Sequence, residues 1–112
     1  LNRLNKGMNL GADPSIKFAV GDFTIKRVLL SHINSSAANP YNTYKNKGLP
    51  PGPICTPTAN TIDAVLNVKP TNYLYFCAKP NSNGHHAFAE TGEEHLKNAK
   101  LYQQWLNEIG IR

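Results

Sequence analysis

An α+β fold is predicted by three features of the sequence. Thr91-Gly-Glu-Glu94 is a capping box standing before apolar residues spaced three and four apart, the start of an amphipathic helix. Tyr73-Leu-Tyr-Phe-Cys-Ala78 is an unbroken aromatic and apolar run of strand length. The turn-rich Pro80-Asn-Ser-Asn-Gly84 follows it and leads to His85-His-Ala-Phe88, so a hairpin is expected over about 73–78 and 85–88. Several shorter stretches carry helix start and stop signals. A long Pro/Gly-rich loop separates them from the hairpin.

In chain order, Leu1-Asn-Arg-Leu4-Asn-Lys-Gly7-Met8 reads as the last turns of a helix, weakened by Gly7 and ended by Gly11. Asp13-Pro14 predicts a new start, with Asp13 capping and Pro14 in the first turn. That helix runs from Ser15 to about Val20 and is halted by Gly21-Asp22. Thr24 is placed as the cap of a third helix, with Ile25, Val28, Leu29 and His32 on one face. From Ser35 to Pro57 periodicity vanishes, and Asn39-Pro40, Pro50-Pro-Gly-Pro53 and Thr56-Pro57 predict a partly polyproline-like loop. Tyr41, Tyr44, Leu49 and Ile54 within it argue for order, and an ordered loop of that length in a compact domain points to function. Asn60 or Thr61 opens a helix with Ile62, Val65 and Leu66, closed before Pro70. The apolar hairpin strand reads as buried on both faces. The final helix sets Ala99, Tyr102, Leu106 and Ile109 on one face beside Trp105, and Gly110 ends it.

At 112 residues and 40% hydrophobic, the chain is long and apolar enough to fold as a single domain, 1–112, without a metal or a disulfide framework. Two cysteines, Cys55 and Cys77, are too few for a disulfide scaffold, and two free thiols are expected. No apolar run approaches the ~20 residues of a membrane span. The net charge of +5 comes from dispersed Lys and Arg with no block of like charge, so no nucleic-acid partner is expected. The opening at Leu1, in what reads as the last turns of a helix, predicts a segment of a longer chain.

Several chemistries can be set aside. There is no Gly-rich phosphate cradle, no GxSxG elbow and no CxxC pair. Neighbouring strand residues point to opposite faces, so His85 and His86 do not readily share an ion, with or without His95, and no metal or other cofactor is expected. Cys77 reads as a packed small hydrophobe. Among the carboxylates Asp13, Asp22, Asp63, Glu90, Glu93, Glu94 and Glu108 no acid–base pair stands out.

Three stretches together resemble one family. They are Asn2-Arg-Leu4 with Gly7-Met8 and Asp13-Pro14-Ser15; Tyr41-Asn-Thr-Tyr44 with Gly48-Leu-Pro-Pro-Gly-Pro-Ile54; and Tyr73-Leu-Tyr-Phe76 with Gly84, His86 and Phe88, closed by the His95 helix. In order and spacing they resemble the YceG-like family, the endolytic murein transglycosylases of the bacterial envelope. Ala12 stands where that family usually has Gln or Ser, and Cys77 where it usually has Val. The resemblance spans nearly the whole chain. It implies the C-terminal part of a catalytic domain, because the family's catalytic glutamate belongs to a "VEKET"-type motif upstream of the Asn-Arg-Leu stretch. No residue of this segment then inherits that role.

The implied reaction cleaves the bond between N-acetylmuramic acid and N-acetylglucosamine without water and leaves an anhydro sugar. One carboxyl group suffices for it, unlike the pair of a hydrolytic glycosidase. This segment would then contribute to gripping the glycan. Aromatic faces pack on sugar C–H surfaces and amides bond acetamido groups, so Asp13, Tyr41, Asn42, Thr43 and Tyr44 are the candidate substrate-binding residues. The resemblance implies peptidoglycan strands as substrate, cell-wall synthesis proteins as partners, and an extracytoplasmic site of action with a membrane anchor outside this segment. A non-catalytic glycan-binding or scaffold module within a synthesis complex is the alternative. A third label used for some members, aminodeoxychorismate lyase, requires pyridoxal phosphate, for which no binding pattern is present.

Overall fold

Glycine placement and capping decide most element boundaries in this chain. A computed structural model describes residues 1–80 and 84–110. Its elements are α1 (Asn2–Asn5), α2 (Asp13–Val20), α3 (Leu30–Ser35), α4 (Ala59–Leu66), β1 (Tyr75–Ala78), β2 (His86–Ala89) and α5 (Gly92–Glu108), an α+β set as expected. They fall into two compact units, one of Leu1 and Arg3–Pro70 and one of Asn2 and Thr71–Arg112. No described helix is long and apolar enough to cross a membrane.

In the first unit, Gly7 rather than Gly11 ends α1. At φ +70° it lets Met8 N reach Arg3 O at 2.9 Å and its own N–H reach Leu4 O at 3.2 Å, the paired bonds of a Schellman motif. The same closure ends α2, where Gly21 at φ +83° donates to Phe18 O and Asp22 N donates to Lys17 O. Asp13 is not the cap of α2 as expected. Ala12 occupies that position without a side-chain bond, and Asp13 and Pro14 lie in the first turn. The helix expected from Thr24 does not form. The Asp22 Oδ1 atom accepts both the amide and the hydroxyl of Thr24, at 2.9 and 2.5 Å, and this local turn competes with a helical start. Those bonds, the hydroxyl first, hold the Asp22 carboxyl below its ordinary range. Helix α3 begins instead at Leu30, with Leu29 N donating to His32 Nδ1 at 2.9 Å. Thr58, ahead of the expected opening at Asn60 or Thr61, caps α4 by accepting from Thr61 N.

The interior of this unit is largely polar. Ile16 is fully buried, and with it Ser15, Ser36, Asn42 and Thr43. Such groups are stable inside only when hydrogen-bonded, so their partners define the unit as much as its apolar contacts do.

The second unit is an antiparallel hairpin with α5 packed on it. The register pairs Tyr75 with Ala89, Phe76 with Phe88, Cys77 with Ala87 and Ala78 with His86. Alternation places Tyr75, Cys77, Ala87 and Ala89 on one face, and Ala89 is fully buried. The expectation of a strand buried on both faces is overturned. Phe76 is 61% and Phe88 52% exposed, because a two-stranded ribbon with one helix covers a single face. The turn expected at 80–84 falls partly outside the described residues. Thr91 caps α5 as predicted, its Oγ1 accepting from Glu94 N at 3.2 Å, which is one half of the expected capping box. Leu106 is buried and Ala99, Tyr102 and Trp105 half-buried, whereas Ile109 is at the C-cap and exposed. Both cysteines are free thiols.

Candidate functional site

Three asparagines shape the loop between α3 and α4. Asn39 Oδ1 accepts from Tyr41 N at 2.9 Å, which starts the turn. The Asn46 amide donates to Asn39 O and Asn42 O at 3.1 and 3.0 Å and draws the loop together. Asn42 lies at its centre, 0% exposed. Its Nδ2 donates to Ile33 O at 3.0 Å and Ser36 Oγ at 3.1 Å, while its Oδ1 accepts from Tyr44 N at 2.9 Å and Lys45 N at 3.1 Å. Both amide hydrogens and both carbonyl lone pairs are thereby used. Asn39 and Asn46 did not emerge from the sequence as site residues. Their spacing around Asn42 was the available signal.

Thr43 ties this loop to the start of α2. Its Oγ1 accepts from Ala12 N at 2.9 Å and lies 2.7 Å from Ser15 Oγ, which donates to Ala12 O at 2.6 Å. A hydroxyl chain from Thr43 through Ser15 to Ala12 O satisfies all three groups. Gly11 N adds a bond to Thr43 O at 3.0 Å.

Tyr44 is held at three points. Its amide donates to Asn42, its carbonyl accepts from Asn9 Nδ2 at 2.8 Å, and its hydroxyl donates to Asp13 Oδ1 at 2.5 Å. Burial, with the hydrogen bond to Asp13 and the charge of that carboxylate, pushes the Tyr44 phenol well above its ordinary range. The group therefore stays protonated and acts as a donor. The carboxylate of Asp13 sits in the first turn of α2, where the helix dipole favours negative charge. Its Oδ2 makes no hydrogen bond among the described residues.

Tyr41 is placed differently. Its ring lies on Phe18, centroids 4.6 Å apart at 43°, and Phe18 also meets Phe23 edge-on at 6.2 Å. A Cβ at Gly52 would stand 3.1 Å from the Tyr41 hydroxyl, so the proline-rich run passes directly beside it.

Of the five candidate residues, Asp13 and Tyr44 are thus joined side chain to side chain, Thr43 is bonded to the same helix start, and Asn42 lies beneath. Tyr41 belongs to the same loop but rests on Phe18. The exposed members of the site are Asp13 and Tyr44; Asn42 and Thr43 are committed inside. Among the described residues no group of three or more His, Cys, Asp or Glu side chains could hold a metal ion. A carboxylate with one oxygen held by a phenol, backed by a hydrogen-bonded loop, presents a fixed hydrogen-bond acceptor at an exposed position.

Comparison with known proteins places this geometry in context. The model of the YceG-like family matches residues 1–101. An endolytic murein transglycosylase of Bacillus subtilis (strain 168) is 43% identical over 107 residues, which cover 96% of this chain and 28% of that protein. A protein of the same name from Streptococcus pneumoniae (serotype 2, strain D39) is 34% identical over 99 residues, covering 87% of this chain and 18% of its own length. The crystal structure of a yceG-like protein from Listeria monocytogenes superposes with a TM-score of 0.74 at 38% identity, over 86% of this chain and 29% of that one. The chain spans less than a third of the length of each of these relatives.

Proposed function

The chain belongs to the YceG-like family, and from that premise we propose that the protein carrying it is an endolytic murein transglycosylase. Its substrate is the glycan strand of peptidoglycan, cut between N-acetylmuramic acid and N-acetylglucosamine. The observation that carries this reading is the 43% identity, over 96% of the chain, to a relative of that name. The reaction is placed outside the cytoplasm, on nascent wall, with the full-length protein anchored in the cytoplasmic membrane and working beside cell-wall synthesis proteins.

The chemistry needs one carboxylic acid kept protonated by a partly apolar site. It protonates the glycosidic oxygen as the bond to the anomeric carbon breaks. The resulting carboxylate then takes the proton of the muramoyl 6-hydroxyl, whose oxygen closes onto that carbon. No water is consumed. In this proposal the acid lies in the remaining length of the full protein, and the present segment binds substrate. Asp13, through its second oxygen, accepts from a sugar N–H or O–H, Tyr44 flanks it, and the Tyr41 ring packs on a sugar face. Asn42 and Thr43 belong to the same site as the supports that keep Tyr44 and the start of α2 together. The bonds described for Asn42, Thr43 and Tyr44 support this division of work.

Incubation of the full-length protein with purified sacculi, followed by mass analysis of the released fragments, tests the proposal. Anhydro-muramoyl ends are expected. Fragments heavier by one water would identify a hydrolase, and bound but uncut glycan would identify a binding module; either result overturns it.

A further inference from the structure

We infer that Arg3 is a positioning residue for the Asp13–Tyr44 pair, acting through the turn at residues 9–12; the inference rests on the site assignment above. Closure of α1 at Gly7 sends the chain back past the Arg3 side chain. There a single nitrogen, Nη1, donates to both Asn9 O and Leu10 O, each at 3.0 Å. The same short turn supplies three of the bonds that hold the site loop: Asn9 Nδ2 to Tyr44 O, Gly11 N to Thr43 O and Ala12 N to Thr43 Oγ1. Fixing two consecutive carbonyls of that turn therefore fixes the direction of the donors on either side of them.

Gly11 shows how closely the parts fit. Its φ is +56°, a conformation that residues with a side chain rarely adopt. A Cβ there would lie 3.1 Å from Arg3 Nη1 and 3.7 Å from Tyr44 Cε1. The guanidinium and the Tyr44 ring thus lie on the same side of one glycine, with no room for a methyl group unless Arg3 moves. Arg3 is also near enough for its charge to favour the ionised phenol, in opposition to burial and Asp13. A lysine would keep the charge but place a freely rotating ammonium on a different stem, without the planar guanidinium that fixes the direction of the Nη1 hydrogens toward the two carbonyls. Arg3 has no assigned contact with substrate, and its effect is exerted through Tyr44.

The test uses the full-length protein with Arg3→Lys, Gly11→Ala, Tyr44→Phe and the double variants with Tyr44→Phe. Activity on glycan strands is measured per folded molecule, and the Tyr44 ring carbons are followed by NMR. Arg3→Lys and Gly11→Ala are each expected to lower kcat/KM about tenfold. Neither should add to the loss caused by Tyr44→Phe, because the effect passes through that residue. Both should shift the Tyr44 ring resonances. Unchanged resonances, or losses that multiply with that of Tyr44→Phe, would overturn the inference even if melting temperatures fall. If Arg3→Lys does not fold, Arg3→Gln decides through the same two readouts, because Gly11→Ala also touches the Tyr44 ring directly. Should Asp13→Asn and Tyr44→Phe themselves leave kcat/KM unchanged, the site assignment fails. The NMR result still tells separately whether Arg3 positions Tyr44.

Discussion

At the scale of single residues, the hydroxyl of Tyr44 bonds an exposed carboxylate while the amide of Asn42 is committed wholly inside the loop. The folded state holds the Tyr44 phenol in its protonated form. A raised value means that this group's contribution is complete below the ordinary phenol pKa of about 10 and is lost as pH rises toward the folded value. Tyr44→Phe should therefore lower stability near pH 8 by about 1 kcal/mol, the worth of the lost bond to Asp13. The gap to the parent protein should narrow above about pH 10, where the parent begins to lose the contribution. Thermal melts at the two pH values check this; a gap constant with pH would mean that the hydroxyl is not held as described. Asn42 calls for a different outcome. Its four bonds are internal, so Asn42→Ala should cost about 2–3 kcal/mol by leaving buried partners unpaired. Chemical denaturation measures it, and a change below about 0.5 kcal/mol would show that the loop does not depend on the amide. Nothing local in the sequence could separate these roles. A buried asparagine and a ligand-binding asparagine look alike until their partners, Ile33 and Ser36 on one side and Tyr44 and Lys45 on the other, are in place.

At the scale of elements, legibility follows the range of the deciding interaction. Helices α2 and α5 were readable because their ends are set by residues within four positions, Gly21 in one case and Thr91 with Glu94 in the other. Helix α3 starts later than its periodicity predicts because Asp22 captures Thr24 through a local turn that periodicity does not detect. The first strand was recognised by composition, but its exposed face depends on what packs against it, which a strand's own residues do not specify. The Tyr41–Tyr44 loop was recognised as ordered from its aromatic residues, while the asparagine bonds that order it were not. Where the deciding contact is local, the energetic consequence is equally local. Thr91→Ala should destabilise α5 by about 1 kcal/mol, and Thr91→Ser should restore most of the loss, since the interaction is one oxygen accepting from Glu94 N. Hydrogen exchange at the first turn of α5 reads this directly. Equal exchange in the alanine and serine variants would rule the cap out.

At the scale of the whole molecule, the distribution of carboxylates bears on what this chain can do alone. A general acid for glycoside cleavage must be kept protonated near neutral pH, which requires a dry, partly apolar setting. All seven carboxylates of the chain, Asp13, Asp22, Asp63, Glu90, Glu93, Glu94 and Glu108, belong to exposed residues. Asp13 is bonded to Tyr44 and Asp22 to Thr24, and Glu93 and Glu94 sit exposed in the first turn of α5. None occupies the setting such an acid requires. The proposed function likewise assigns the acid to a part of the protein outside this segment. The 112-residue chain by itself is therefore expected to release no anhydro-ended fragments from sacculi under conditions where the full-length protein does. Adding the isolated chain to sacculi and analysing the soluble fraction by mass makes the comparison. Anhydro-muramoyl products from the chain alone would place the proton donor among these seven residues, and their abolition by one Asp→Asn or Glu→Gln change would say which.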